Sequence, residues 1–340
     1  MCKKMCNFAA YFAKLGILLK LTHMINRTLV RTKVLQTLFA YYKDGEKTPL
    51  TARKELLNSF SSTYSLYMVL LAFADELVTY AEEQIAENKQ RAAVTHQEYT
   101  PNYRFVQNKV SRDLFNNRRL RNYIEDNHLR WDTGMNGVIA IYKQLLQEPF
   151  YLEYMQLEAP TYEDDKVLWR KIYGNLLINN EHLHASLEEM EVALDHQGWT
   201  TDVDQILTYI VKTIKQFKEE YGDDQPLLEM FTSEDELAFA KDLLRLTIEN
   251  AEEYKELIAQ SLRNWDAERV AYMDQIILLV AISEIVNFNN IALEISMNEY
   301  IELSKEYSSD KSYQFINGVL NNVVLELKKN NTLFKIIKKQ

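Results

Sequence analysis

The residues of this chain with the chemistry to engage a ligand are mostly cations, and they fall in three groups. The first is Arg27, Arg31 and Lys33, at the end of a 33-residue opening stretch that has basic residues and no acid. The second is Arg104, Lys109, Arg112, Arg118, Arg119, Arg121 and Arg130, interleaved with Tyr103, Phe105, Phe115 and Tyr123. The third is Lys311, four residues before Phe315. Cations neutralise phosphates and flat rings stack on unpaired bases, so such sets suit a single-stranded nucleic acid. An amphipathic helix with a solvated basic face and buried rings gives the same pattern, and for Arg104 to Arg130 both readings stand.

Catalytic chemistry finds little here. No Gly-rich phosphate loop and no Gly-x-Ser-x-Gly occurs, and the two cysteines, Cys2 and Cys6, both lie at the start. His182 and His184 are two apart and face different sides of a helix, unlike the i, i+4 pair of a helical zinc site. The sequence therefore predicts a binding protein, with no metal and no cofactor. Its net charge of −10 excludes a general nucleic-acid coat, so any RNA site must be a local patch. A body free of cysteine fits a reducing, cytoplasmic setting.

The elements that must position these residues are helices. The chain has 340 residues, enough for one large or two medium domains, and only 8 Gly and 5 Pro to interrupt them. An all-α fold follows. Leu29, Leu35, Leu38, Phe39 and Tyr42 mark a first amphipathic helix over 26–43, stopped by Asp44-Gly45 and Pro49. Arg27 and Arg31 share one of its faces, so cations are expected outward and the core inward. A long helix follows over about 51–88, too polar at Asp75 and Glu76 to span a membrane. Packing helices are expected at 137–147, 166–178, 182–194 and 203–218, then at about 266–287, 293–307 and 310–328. Residues 276–286 are almost wholly apolar, broken only by Ser283 and Glu284, and read as a central helix buried all round. Ser309 is the expected N-cap of the last helix, leaving a positive helix end beside Lys311 where phosphate could bind, with Asp310 competing. Gly318, inside that helix, costs about 1 kcal/mol against Ala and so points to close packing or, second, to the approach of a ligand.

The last hundred residues carry a further pattern: Leu262, Trp265, Arg269 and Asp274, then Asn298-Glu299-Tyr300-Ile301-Glu302-Leu303, then Phe315-Ile316-Asn317-Gly318-Val319-Leu320. In order and spacing this resembles the NusB transcription antitermination factors, with a weaker N-terminal resemblance at Arg31, Leu35, Gln36, Leu38 and Phe39. The resemblance covers residues 24–49 and 231–328 and implies a NusB-like bundle of two packed helical subdomains. Residues 50–230 then form a large helical insertion, 1–23 an extension before a start at Met24, and 329–340 a basic tail. A secretory signal is disfavoured, because Lys14 and Lys20 break the apolar run and no cleavage site follows.

The resemblance also implies a function without chemistry. A NusB-like protein joins a boxA-type RNA leader to NusE, a small-subunit ribosomal protein, within the transcription elongation complex, and so promotes read-through of ribosomal RNA genes. On this chain the RNA contacts would be Arg27, Arg31, Lys33, Lys311 and Phe315, with Arg118, Arg119 and Arg121 as additions; Phe315 could equally be a core residue. The partner contacts would be Phe39 and Asp274, and Asp274 also suits the N-terminal end of the buried helix whatever else it does. Thr28, Leu29 and Val30 stand where the family's fuller arginine run would lie, which keeps an alternative open: a helical protein-interaction adaptor with a weakened RNA site.

Overall fold

A computed structural model describes residues 24–194, 196, 198–231, 233–262 and 270–335. Trp265 and Arg269, and the whole extension 1–23, lie outside the described residues. Among those described there is no β-strand; the chain is a succession of helices. The described residues divide into two compact units, one comprising Met24 and residues 65–229, the other residues 25–64 and 230–335.

The second unit begins with α1 (Arg27–Asp44). Asn26 caps it, its side chain accepting from Leu29 N at 3.0 Å, and Gly45 ends it in the left-handed region at φ 66°. α2 (Pro49–Thr95) opens with Pro at its first position and Thr48 Oγ1 accepting from Thr51 N. At 47 residues it is about 70 Å long, and the chain passes from one unit to the other within it. It is long and apolar enough to cross a membrane, but 72% of its apolar window is buried inside the protein, as in a core helix.

The first unit adds α3 (Lys109–Asn116), α4 (Arg118–Asp126), α5 (Met135–Leu145), α6 (Pro149–Met155), α7 (Tyr162–Lys171), α8 (Glu181–Leu194) and α9 (Trp199–Gln216). These wrap the middle of α2: Trp131 Nε1 and the Tyr173 hydroxyl donate to the carbonyls of Val69 and Leu70. α5 and α8 approach so closely that a Cβ on Gly137 would lie 2.1 Å from Ser186 Oγ.

The second unit is completed by α10 (Glu234–Glu249), α11 (Ala251–Ser261), α12 (Tyr272–Asn287), α13 (Leu293–Tyr307) and α14 (Ser312–Lys329). α12 is the predicted central helix, buried from Ile276 to Ile285, and α10, α11, α13 and α14 all pack on it. α1 docks on α10 and α12, so a helix near one end of the sequence completes a core built near the other.

Candidate nucleic-acid interface

The first cation group does not form the outward face expected of it. α1 is clasped by α10 and α12, and its middle is buried on every side, Arg31, Thr32 and Lys33 included. Arg31 is 2% exposed. Its Nε donates to Glu284 Oε2 at 2.7 Å and a terminal nitrogen to Oε1 at 2.9 Å, a bidentate pair inside the core. Its other terminal nitrogen lies 3.3 Å from Glu299, which also accepts from the Thr28 hydroxyl at 2.9 Å.

Glu284 is satisfied at both oxygens. Besides Arg31 it accepts from Ser296 Oγ at 2.6 Å and from the Tyr300 hydroxyl at 2.8 Å. Burial alone would raise its pKa; the charge of Arg31 and these hydrogen bonds outweigh that and hold the carboxyl below its usual value. Burial likewise works against the Arg31 charge, and Glu284 more than offsets it, so the guanidinium stays protonated.

These facts correct two of the five RNA contacts expected, Arg31 and Lys33, and for Phe315 select the core reading. Arg31 is committed to a structural ion pair. Lys33 is 4% exposed and Phe315 is buried in the core, so neither side chain is placed to meet an RNA strand. Arg27, half-exposed at the start of α1 with its guanidinium 5.3 Å from the Phe239 ring, and Lys311, exposed beside the start of α14, remain at the surface.

Asp274 is also corrected as a surface contact, being 5% exposed. Its Oδ2 accepts from Ser312 Oγ at 2.9 Å, which sets a carboxylate at the start of α14. The anion that this helix end favours is thus supplied from within. Ser309 does not cap the helix; its hydroxyl pairs with that of Ser312 at 2.7 Å, and Lys311 occupies the cap position without a side-chain bond. Phe39 is half-exposed and meets half-exposed Tyr272 edge-on at 5.6 Å, with Lys43 over its ring.

On the outward side of α14 the sequence points to Lys311 and Gly318 but not to the amides around them. Lys311, Gln314, Asn317 and Asn321 are exposed there around Gly318, and an added Cβ on Gly318 would meet nothing within 4 Å. Close packing is therefore not what this glycine serves. The strip carries one cation and three amides, with exposed Asp310 next to Lys311 at its start, in a chain of net charge −10.

In the first unit the basic stretch is two helices, because Asn117 ends α3 and caps α4 through its side chain. Phe105 is buried and Phe115 is 51% exposed. Arg119 is tied to Glu229 at 2.6 Å and to the carbonyls of Leu227 and Leu228, whereas Arg118 and Arg121 are exposed. The neighbouring turn adds Glu219, Glu220, Asp223 and Asp224, so the region is mixed in sign.

Comparison with known proteins bears on the second unit. The NusB family model matches residues 204–325. A transcription antitermination protein NusB of Bacillus licheniformis is 40% identical over 90 residues, 26% of this chain and 70% of the relative. Those of Fusobacterium nucleatum and Ligilactobacillus salivarius are 37% identical over 91 and 101 residues, covering 27% and 29% of this chain and 59% and 76% of the relatives. No solved structure matches the chain significantly. The matched span runs from within α9 of the first unit through α10 to α13 and most of α14, the helices that receive α1 and present the amide strip, and with such identity across most of the length of relatives it places the chain in the NusB family.

Proposed function

We propose that this protein is a transcription antitermination factor that binds a boxA-type leader RNA together with NusE, promotes read-through of ribosomal RNA genes in the cytoplasm, and catalyses no reaction. The observation that carries the reading is the amide strip on α14 with Lys311 at its start, set in the span that the family model matches. Amide side chains hydrogen-bond to the edges of unpaired bases, Lys311 and Arg27 supply phosphate contacts, and the open space at Gly318 lets a strand approach the backbone. The half-exposed aromatic pair Phe39 and Tyr272 offers a separate surface to the ribosomal protein.

The test is a titration of leader RNA with the purified chain, alone and with NusE, over a range of salt. Binding is expected to be weak alone and tighter with NusE. Lys311→Ala and Arg27→Ala should each weaken it and lower the salt slope by about 1. Unchanged affinity and slope in both variants would remove the α14 strip from the RNA site.

The burial of Arg31 and Lys33 favours one second reading, an adaptor whose RNA site is weakened and whose insertion holds another protein. RNA binding that disappears on neutralising Arg118 and Arg121 would instead move the RNA site to the first unit, and failure to bind either RNA or NusE would select the adaptor.

A further inference from the structure

Beyond α14 the chain doubles back. Asn331 takes φ 55°, Thr332 N donates to Leu327 O at 2.9 Å, and four residues later Lys335 is 6% exposed. Its Nζ donates to Ser296 Oγ, the hydroxyl that in turn donates to Glu284. A second cation has thus entered a cage in which Arg31, Ser296 and Tyr300 already satisfy both oxygens of Glu284. Facing this ammonium are Arg31 from α1, Glu284 from α12, and Ser296 with the Glu294 carboxylate from α13, with Glu299 and Tyr300 completing the cage.

We propose that Thr332–Lys335 is a releasable strap over the Arg31–Glu284 cage, its grip set by the charge on Lys335. The structure holds the docked state, and the hydrogen bonds of the cage permit the other. Docked, the aliphatic stem is buried and the amine meets Ser296; released, the cage keeps its full set of hydrogen bonds without Lys335, so departure leaves no carboxylate unpaired. Nothing in this depends on the RNA reading, and the strap lies beyond residue 325, where the family match ends.

Burial first, and then repulsion from Arg31, lower the docked ammonium from 10.5 to about 8, although Glu284 and Glu294 act the other way. The docked lysine therefore binds fewer protons than a free one between these values. Docking is weakest and flat below about pH 8, and strengthens as pH rises from about 8 towards 10.5.

The experiment uses the full chain and two variants, Lys335→Met and Lys335→Glu. The lysine side-chain carbon resonances are followed by NMR against pH, with Lys335 assigned by its loss in the Met variant, and thermal midpoints are measured from pH 7 to 10.5. Lys335 should titrate near pH 8, about two and a half units below a free lysine. Lys335→Met should melt above wild type at pH 7, with the gap closing by pH 10.5, and Lys335→Glu should melt below both. A Lys335 resonance that titrates near 10.5, or a Lys335→Glu variant with wild-type midpoints throughout, would overturn the strap.

Discussion

Arg31 and Glu284 stand 253 residues apart in the chain and share one pair of parallel hydrogen bonds in the core. Removing one member leaves the other as a buried charge without its counterion, so Arg31→Met or Glu284→Met should each cost about 3–5 kcal/mol in chemical denaturation. The double variant should recover most of that loss, because two apolar side chains fill the space without a desolvation penalty. Recovery of less than about 1 kcal/mol would mean that Tyr300, Ser296 and Lys335 bind the cage together more strongly than the ion pair does. Because the Glu284 pKa is lowered in the fold, its contribution is fully present above about pH 4.5 and is lost as pH falls through its folded value. A pH titration of the melting temperature should show an acid-side decline that Glu284→Gln reduces. This pairing was half legible in the sequence. A glutamate within the apolar run 276–286 must have a partner, but nothing in the sequence names Arg31 as that partner, and its outward placement was inferred from spacing alone. Spacing says which residues share a face; it does not say that α10 and α12 cover that face.

Among the helices, the contrast between two glycines was not readable from sequence, because both sit inside helical patterns. Gly137 has a neighbouring helix where its side chain would be, so Gly137→Ala should destabilise by about 1–3 kcal/mol through overpacking. Gly318 has open space, so Gly318→Ala should stabilise by about 1 kcal/mol. If the strip on α14 holds RNA, that same variant should bind leader RNA more weakly while melting higher, two opposite readouts from one methyl group. A variant that gains stability and keeps full affinity would show that RNA does not approach the helix there. Helix identities over α12 to α14 followed from apolar periodicity because those helices are long. The stretch from Arg104 to Arg130 did not, because one asparagine serves as the end of α3 and the cap of α4, and an Asn within a basic stretch carries no mark of that double use.

For the chain as a whole, the second unit is discontinuous in sequence yet closed in space. Phe60 and Phe231, which flank the excursion into the first unit, meet edge-on with centroids 5.4 Å apart. Residues 65–229 should therefore be replaceable by a short flexible linker from Tyr64 to Met230. The shortened chain is expected to show a helical spectrum and a single cooperative melting transition, whereas residues 230–340 without α1 should expose apolar surface on α12 and bind a hydrophobic dye. A shortened chain with no cooperative transition would mean that the second unit draws its stability from the first. That the ends of the chain belong together was legible from the motifs they share with one family; that the excursion starts partway along an unbroken helix was not, because α2 carries no Gly or Pro after its first residue to mark the passage.

Asn317 precedes Gly318 in α14, and an Asn-Gly pair in a flexible chain is prone to deamidation, since the glycine nitrogen attacks the side-chain amide with little hindrance. The helix withholds that nitrogen in its own hydrogen-bond ladder. Chemical ageing at this position is thereby coupled to local opening of α14, and isoaspartate accumulating at residue 317 would act as a clock for how often the helix frays. Each such event would also place a negative charge among the amides of the strip, so, if the strip holds RNA, molecules that have opened most often would be the first to lose that hold.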